Sequence, residues 1–377
     1  MRRIGVYGGA FDPVHMGDVR VVREAMRQLS LDELLIIPFQ VSRGSNTTPR
    51  RDRLNMLTLA FTDMQDISIV EEEYPGTPDG LTEMLRYVRD SRLHAIFYLI
   101  MSTDQLAGWL AQRNGLRVLR SCNVVLFTRA GSMTQDARLK AMALNVRVSI
   151  LQMKAITASA GAARQLVAQL DDAPDILPQQ VAEYIALNGL YNPPYAEKMR
   201  SHMSAKRYQH SLGVRDTAVH LARLHGASMQ KASVAGMLHD CAKCMPLGQL
   251  KAIARRYKAD NNQTYQTNAL LHGPVGAEIA RVTYKITDKD VLNAIRWHTV
   301  GRAGMSRLEL CVYVADAIEP NRKPYPQLEE IRALAQKDLV AAALQAMLAT
   351  RDYVLATGQG YCADSVEAIG DLTERVR

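Results

Sequence analysis

A pair of consecutive prolines divides this 377-residue chain into two halves of different character. Pro193 and Pro194 cannot continue a helix, because proline lacks a backbone N–H and its ring clashes with the preceding turn. Before them, short apolar runs of strand length alternate with amphipathic segments, and after them nearly every segment has helical periodicity. We therefore predict two domains of ordinary size, residues 1–192 and residues 196–377.

The first half is predicted to be an α/β domain. Its strands are expected at the apolar runs 3–7, 34–38, 95–100 and 123–127. Helical segments alternate with them, beginning with residues 19–29, and this alternation is typical of parallel strands joined by right-handed crossovers. A last helix, residues 178–187, ends at Asn188-Gly189, a common C-terminal signal. In the second half, residues 310–314 resemble a strand, but the surrounding pattern favours a helix.

Composition is that of an ordinary globular protein. Hydrophobic residues make up 47% of the chain and charged residues 22%, which excludes a disordered or fibrous protein. No apolar run approaches the ~18–20 residues of a membrane span, and the first residues lack the apolar stretch of a secretory signal. The five cysteines are irregularly spaced, which indicates reduced thiols. We therefore expect a cytoplasmic protein without a membrane partner.

The net charge is +8, from 46 basic and 38 acidic residues. A positive balance suits a polyanionic ligand, either a nucleotide or a nucleic acid. The excess is spread along the chain, however, and the longest basic cluster is Arg50, Arg51 and Arg53. With aromatic residues at only 6%, a nucleic-acid partner is disfavoured and a nucleotide is preferred. A basic surface that binds nothing remains an open alternative.

Histidines and carboxylates in the second half form a pattern of potential metal ligands. They are His210, the adjacent pair His239-Asp240, His272, His298 and Asp316. Imidazole and carboxylate together favour Fe, Mn, Zn or Co over Mg alone. On a helix, an adjacent His-Asp pair projects its side chains about 100° apart, so both can reach one cavity. Any one histidine alone is more often an ordinary residue, but this order within one helical domain favours a centre of two ions.

The stretches around these residues resemble a known family. They are KRYQHSLGV (206–214), AGMLHDCAK (235–243), LLHGPVGAEIA (270–280), AIRWHTVGRAGMS (294–306) and YVADAIEPNR (313–322). Together they resemble the HD-domain metallophosphohydrolases, and more closely the YqeK-type symmetrical dinucleoside tetraphosphate hydrolases. The resemblance implies an all-α HD domain that cleaves diadenosine tetraphosphate into two ADP. It also implies two divalent metal ions, Fe in the first place, with Mn or Co as alternatives.

The resemblance further implies roles for individual residues. The four histidines and two aspartates match the family's metal ligands, with Asp240 as a bridging ligand or a proton acceptor. Lys243 matches the lysine after the HD pair, and a helical i, i+3 spacing would bring its ammonium to a phosphate on the metals. Arg207, Arg302 and Arg322 are candidates for the rest of the polyphosphate, since guanidinium groups suit two-point phosphate contacts. Surface ion pairs are the equally open alternative for each arginine.

Cys241 and Cys244 form a C-x-x-C pattern beside the HD pair. A zinc site or a redox pair would use this spacing, but a zinc site needs a second pair of ligands that the cysteine pattern lacks. We interpret the two cysteines as small buried residues within a helix. His220 and His225 are interpreted as surface residues.

The beginning of the first half resembles a second family. The string GGAFDPVHMGD (8–18) follows a predicted strand and precedes a helix, which presents backbone N–H groups to a phosphate. It resembles the start of the NadD-type nicotinate-nucleotide adenylyltransferases, GG-x-FDP-x-H-x-GH, and ILPQQVAEYIALNGLY (176–191) resembles their closing segment. The resemblance implies a Rossmann-like nucleotidyltransferase fold with His15 as a catalytic residue. Its candidate nucleotide-binding residues are Gly9, Ser159 and Arg164.

The same half departs from the family pattern at several positions. The second histidine is replaced by Asp18, which would repel a triphosphate, and loss of one such donor usually costs ~10²–10³ in rate. The family's Pro-Pro-His-Lys loop reads Gln40-Val41-Ser42-Arg43 here. We therefore expect a degenerate domain that binds a nucleotide, or that scaffolds the hydrolase or a homodimer. The alternative is a bifunctional enzyme that also transfers AMP from ATP to nicotinate mononucleotide in NAD biosynthesis.

Overall fold

The computed structural model describes residues 1–40, 48–91, 94–112, 114–130, 134–260 and 265–376. The chain divides into two compact units. Unit 1 comprises Met1–Leu166 and Ala173–Ala182, and unit 2 comprises Val167–Asp172 and Glu183–Arg377. The domain limits inferred from sequence character, residues 1–192 and residues 196–377, stay a prediction.

Unit 1 is built on a six-stranded parallel sheet. Its strands are β1 (Arg3–Gly9), β2 (Glu33–Pro38), β3 (Ile67–Ile69), β4 (Ile96–Ser102), β5 (Asn123–Phe127) and β6 (Val148–Ile150), in the order β3-β2-β1-β4-β5-β6. The four predicted runs are the four central strands, which confirms the Rossmann-like α/β class. The sequence did not predict β3 and β6, because three residues at the edge of a sheet carry too few apolar positions to show a pattern.

The helices of the first half follow the strands. They are α1 (Met16–Leu29), α2 (Arg50–Ala60), α3 (Pro78–Ser91), α4 (Thr103–Leu110), α5 (Gly115–Arg120), α6 (Thr134–Ala143), α7 (Ala160–Ala168) and α8 (Gln179–Asn188). Helix α1 begins three residues before the predicted start at Val19. The cause is a reciprocal cap, in which the His15 side chain accepts the Asp18 N–H and the Asp18 carboxylate accepts the His15 N–H.

Unit 2 is helical beyond the two prolines, as predicted. Its helices there are α9 (Tyr195–Arg200), α10 (Ala205–His225), α11 (Met229–Leu238), α12 (Leu247–Tyr257), α13 (Asn268–Val282), α14 (Lys289–Trp297), α15 (Arg307–Ile318), α16 (Leu328–Ala335), α17 (Leu339–Ala356) and α18 (Ala363–Val376). The strand-like residues 310–314 lie inside α15, so the helical interpretation of that run is confirmed.

Besides α17, which Asp338 caps, five helices in the described part of unit 2 begin at a side-chain cap of one kind, namely α10, α11, α13, α14 and α15. Their capping residues are Ser204, Ser228, Thr267, Asp288 and Ser306. Each side-chain oxygen accepts the backbone N–H three residues further on, an interaction usually worth about 1 kcal/mol. These starts set the register of the helices that carry the histidines and carboxylates described below.

Helix α17 departs from the expectation about apolar runs. It has 18 residues and a mean hydropathy of 1.3, so by length and composition alone it could cross a membrane. The expectation that no run approaches this length is therefore wrong for this segment, because its alanines, leucines and valines outnumber its two charged residues. Leu339, Ala343 and Met347 are buried within unit 2, where α17 packs against α15, α16 and α18.

Candidate metal centre

Six polar side chains of unit 2 meet at one place. His210 lies on α10, His272 on α13 and Asp316 on α15, while His239 and Asp240 follow α11 and His298 follows α14. Four of the six, namely His239, Asp240, His272 and His298, are no more than 3% exposed. The structure thus brings together the six residues that the sequence analysis had selected from a span of more than 100 residues.

The ligand atoms form two overlapping groups. Atoms of His210, His239 and Asp316 all lie within 4.8 Å of one another, and so do atoms of His239, Asp240 and His298. Nε2 of His272 lies 3.3 Å from Oδ1 of Asp240, and Nε2 of His210 lies 3.7 Å from its Oδ2. The two oxygens of Asp240 therefore face histidines on both sides of the centre.

The His239-Asp240 pair lies beyond a helix, which corrects the helical geometry predicted for it. Helix α11 ends at Leu238, His239 is its C-cap residue, and Asp240 lies in the following turn. Lys243 lies in the same turn and donates its backbone N–H to the Asp240 carbonyl. The turn keeps both side chains at the centre without the helical spacing. The sequence did not reveal this end because no glycine or proline marks it.

The C-x-x-C pattern extends through the same turn. Cys241 is half-buried, and its Sγ–H donates to the Gly276 carbonyl at 3.4 Å. Cys244 is exposed, so the prediction of two buried cysteines is wrong for this residue. The physical reason is again that the segment is a turn, which carries Cys244 to the surface.

Each imidazole of the cluster is held through the ring nitrogen remote from the other ligands. Nδ1 of His239, His272 and His298 contacts the backbone carbonyl oxygen of Gly236 at 2.7 Å, Asn268 at 3.0 Å and Ile295 at 2.7 Å, respectively. Since a carbonyl only accepts, these three Nδ1 atoms carry the proton. In the neutral ring this leaves a lone pair on Nε2, the form in which histidine binds a metal.

The arrangement of the Nε2 atoms fits a bound cation. Nε2 of His239 is buried and has no hydrogen-bond partner within the described part of the chain. Nε2 of His272 lies 3.0 Å from Nε2 of His298, although both are acceptors. A buried polar atom without a partner costs about 1–3 kcal/mol. A cation between the rings would satisfy these lone pairs, and the imidazole and carboxylate donors suit a transition metal.

Burial and neighbouring charge set the protonation of the cluster. Burial lowers the pKa of His298 to about 4, so this imidazole is neutral at pH 7. Burial alone would raise the pKa of Asp240, but the adjacent His239 and the other histidines hold it well below its usual value. Burial also lowers the pKa of Lys243 against the opposing attraction of Asp240 and Asp316. Burial alone would lower the pKa of His239, but Asp240 and Asp316 raise it. The metal-free cluster therefore holds an ionised Asp240 beside a neutral His298, and a bound cation would displace any proton from Nε2 of His239.

Two of the three predicted arginines contact the cluster's carboxylates. Nη1 of Arg207 lies 2.6 Å from Oδ2 of Asp240, and Nη2 of Arg322 lies 3.1 Å from Oδ1 of Asp316. Arg302 instead forms a two-point ion pair with Glu309, at 2.8 and 2.9 Å. Its guanidinium thus serves the cap of α15 in this structure. Binding of polyphosphate by the three arginines stays a prediction.

Lys243, Thr299 and Glu319 add polar groups at the cluster. The ammonium nitrogen of Lys243 lies 3.2 Å from Nε2 of His272, and the hydroxyl of Thr299 lies 3.1 Å from Nε2 of both His272 and His298. The carboxylate of Glu319 lies 3.1 Å from Nδ1 of His210. Sequence reasoning missed Thr299 and Glu319. The available signals were that Thr299 directly follows His298 and that Glu319 lies three residues after Asp316.

In unit 1, the predicted residues around the β1–α1 turn are engaged with one another. Asp18 is 4% exposed, and its carboxylate accepts the Tyr7 hydroxyl at 2.7 Å and the His15 N–H at 2.9 Å. Burial lowers the pKa of His15. Arg164 donates to the Asp12 carbonyl. Asp18 is therefore turned into the fold as a capping group.

The remaining candidates of unit 1 are placed as follows. The hydroxyl of Ser159 accepts the Ala162 N–H at 3.1 Å at the start of α7. A Cβ at Gly9 would lie 3.1 Å from the Phe11 ring. Nucleotide binding by Gly9, Ser159 and Arg164, and catalysis by His15, stay predictions. Residues 41–43 of the loop after β2 lie outside the described residues.

Comparison with known proteins assigns a family to each half. The HD domain family matches residues 207–321, and the cytidylyltransferase-like family matches residues 6–159. A symmetrical bis(5'-nucleosyl)-tetraphosphatase of Halalkalibacterium halodurans is 37% identical over 174 residues, which cover 46% of this chain and 92% of that protein. A probable nicotinate-nucleotide adenylyltransferase of Bordetella avium is 31% identical over 200 residues, which cover 51% of this chain and 100% of that protein.

A third relative has both halves in one chain. This probable nicotinate-nucleotide adenylyltransferase/Ap4A hydrolase of Mycoplasma genitalium is 27% identical over 361 residues, which cover 94% of this chain and 98% of that protein. The two family resemblances seen in the sequence are thereby confirmed. The chain belongs to the HD-domain family of symmetrical bis(5'-nucleosyl)-tetraphosphatases through its second half and to the cytidylyltransferase-like family of nicotinate-nucleotide adenylyltransferases through its first.

Proposed function

We propose that the second half of this chain hydrolyses diadenosine tetraphosphate symmetrically into two ADP at the cluster of four histidines and two aspartates. The observation that carries the proposal is the buried Nε2 of His239, which lies without a hydrogen-bond partner among the described residues and within reach of both groups of ligand atoms. The names of the relatives support the substrate.

Two divalent ions would be held by the four histidines and two aspartates of the cluster. We assign His210, His239 and Asp316 to one ion. We assign His272 and His298 to the other, and Asp240 to both, because one of its oxygens faces His210 and the other faces His272. The metals are Fe in the first place, with Mn or Co as alternatives that the same donor types accept. When bound, such ions lower the pKa of a water ligand and offset the charge of the reacting phosphate.

The chain's own cations would bind the polyphosphate. The side chains of Arg207 and Arg322 are 33% and 39% exposed, so each has one part on the cluster's carboxylate and another open to solvent. Lys243 adds an ammonium beside His272. These three cationic groups lie at the cluster that holds the two aspartates. A tetraphosphate could replace the carboxylates as the partner of these cations. Water would attack one of the two phosphorus atoms that share the central bridging oxygen. The bond from that phosphorus to the bridging oxygen would break, and two molecules of ADP would be released.

The first half is proposed to bind a nucleotide or to act as a scaffold, without efficient adenylyl transfer. The position where the family has its second histidine is Asp18, and its carboxylate is engaged by the Tyr7 hydroxyl and the His15 N–H. A carboxylate there supplies no donor for the charge that develops on a triphosphate. The alternative, a bifunctional enzyme, is favoured by the name of the two-half relative. Location in the cytoplasm and a homodimer stay predictions.

The test uses the full chain, stripped with a chelator and reloaded with Fe²⁺, Mn²⁺ or Co²⁺. It is incubated with a panel of dinucleoside polyphosphates. We expect metal-dependent cleavage of diadenosine tetraphosphate with ADP as the only product. Asp240→Ala is expected to lose bound metal and hydrolysis, while Cys244→Ala, an exposed cysteine in the same turn, keeps both. Formation of ATP and AMP, or an active Asp240→Ala protein, would contradict the proposal.

A further inference from the structure

His210 differs from the other three histidines of the cluster in what holds its ring. Nδ1 of His239, His272 and His298 contacts a backbone carbonyl three or four residues earlier in the chain. Nδ1 of His210 lies 3.1 Å from Oε1 of Glu319, 109 residues further along the chain. One imidazole of the four is therefore positioned by a carboxylate from a distant segment.

Glu319 is itself fixed in place. The residue is 1% exposed, and its second oxygen, Oε2, accepts the backbone N–H of Asn321 at 2.7 Å. Its own backbone N–H donates to the Ala315 carbonyl at the end of α15. A carboxylate that is buried without partners costs several kcal/mol, so the two hydrogen bonds account for its presence here. Both oxygens are used, one by His210 and one by the backbone.

Gly213 supplies the space for this carboxylate. It lies one turn after His210 on α10, and a Cβ at this position would come within 2.5 Å of Oε2 of Glu319. Glycine within a helix is about 1 kcal/mol less favourable than alanine. This loss of helix stability at Gly213 is explained if the Glu319 carboxylate occupies the space that a side chain at this position would fill.

Nε2 of the His210 ring lies 3.1 Å from Oδ1 of Asp316. We infer that Glu319 is a positioning residue of the metal centre, which fixes the ring of His210 in this orientation, and that Gly213 makes room for it. The inference deepens the proposed function and concerns the same site. A carboxylate accepts a stronger hydrogen bond than a carbonyl, because it is charged. It also increases the basicity of the imidazole that it holds, and such partners of ligating histidines usually contribute 10–100-fold in metal affinity.

The first experiment removes the charge. In Glu319→Gln the amide oxygen can serve either His210 or the Asn321 N–H, and the amide nitrogen then faces a second donor. We expect the dissociation constant for Mn²⁺ to rise roughly 10–100-fold. In the metal-free protein, ¹⁵N spectra of the histidines should show that His210 loses its fixed Nδ1–H form while the other three rings keep theirs.

The second experiment moves the carboxylate without removing it. Gly213→Ala places a methyl group against Oε2 of Glu319, and we expect weaker Mn²⁺ binding. The displaced carboxylate should also offset the stability that alanine, the better helix former, would otherwise add. Gly370→Ala is the matched control, since it lies within α18 and its Cβ meets nothing within 4 Å. It should gain the same helical stability with unchanged Mn²⁺ binding.

The outcomes separate this inference from the proposed function. If the unmodified protein binds metal and cleaves the tetraphosphate, but Glu319→Gln and Gly213→Ala bind Mn²⁺ as it does with an unchanged His210 spectrum, the inference is wrong and the function stands. If the unmodified protein does not cleave the tetraphosphate, the function fails. The His210 spectrum of the metal-free variants still decides the role of Glu319 in that case.

Discussion

Nη1 of Arg207 lies 2.6 Å from Oδ2 of Asp240, the carboxylate whose oxygens face histidines on both sides of the cluster. The side chain of Arg207 is 33% exposed to solvent, and its guanidinium contacts an aspartate that is only 3% exposed. Arg207 thus connects the surface of unit 2 to the cluster. A polyanion that approaches the cluster would meet this guanidinium, since the aspartate offers it only repulsion.

Replacing Arg207 should therefore weaken substrate binding more than metal binding. A lost charge-assisted hydrogen bond costs about 1.5–3 kcal/mol, so we expect Arg207→Ala to raise the KM for diadenosine tetraphosphate roughly 10–100-fold. The metal content, measured by elemental analysis, should stay that of the unmodified protein. Arg223→Ala is the control, because Arg223 lies on the same helix in an ion pair with Glu183. Loss of metal with an unchanged KM would contradict this role.

Lys243 is expected to act on the bound phosphate. Its ammonium nitrogen lies 3.2 Å from Nε2 of His272, and burial lowers its pKa. Removing one preorganised donor from a site of charge development usually costs ~10²–10³ in rate, so Lys243→Gln should reduce kcat by about that factor and keep its metal. Lys251→Gln on α12, where the lysine contacts Gln266 at the surface, should leave kcat unchanged. An unaltered kcat in Lys243→Gln would exclude the role.

Acid should destabilise the metal-free protein through His298. Burial lowers the pKa of this imidazole to about 4 in the folded state, against an ordinary value of 6.5. Between these values the unfolded chain binds the proton and the folded chain does not. The stability that His298 contributes is thus complete above pH 6.5 and is lost as the pH falls towards 4, by up to about 3 kcal/mol.

Urea unfolding of the chelated protein at pH 7 and pH 4.5 measures this effect. The loss of free energy between the two values should be smaller in His298→Asn, which has no proton to gain. A variant with the same pH dependence as the unmodified protein would show that other groups cause the loss. Val366→Ala on the exposed face of α18, which removes no titrating group, serves as a control for a general effect of substitution.

The sequence predicts the central part of each unit and fails at its edges. β1, β2, β4 and β5 are buried apolar runs, so their strand character is visible locally. β3 and β6 have three residues each and depend on pairing with a neighbouring strand. The end of α11 at Leu238 was also missed, because neither glycine nor proline marks it in the sequence.

The six residues of the cluster were predictable, because histidine and aspartate are rare in apolar surroundings. The residues that hold them in place were not predictable. Four histidines and two aspartates in apolar helical segments stand out in the sequence. Glu319 does not, since its only distinction is a contact with His210 across 109 residues. The ion pair between Arg302 and Glu309 likewise depends on the position of Glu309 in the N-terminal cap of α15. The apolar periodicity of the sequence does not reveal this cap.

Asp18 should matter for the stability of unit 1 and not for hydrolysis. Its buried carboxylate accepts hydrogen bonds from Tyr7 and from the backbone of His15. Loss of such a cap costs about 0.5–2 kcal/mol, so Asp18→His should lower the urea midpoint of unit 1. We expect no release of pyrophosphate from ATP and nicotinate mononucleotide in either protein, with hydrolysis of diadenosine tetraphosphate unchanged. Recovery of pyrophosphate release in Asp18→His would instead show that the rest of the adenylyltransferase site is intact and would revive the bifunctional enzyme.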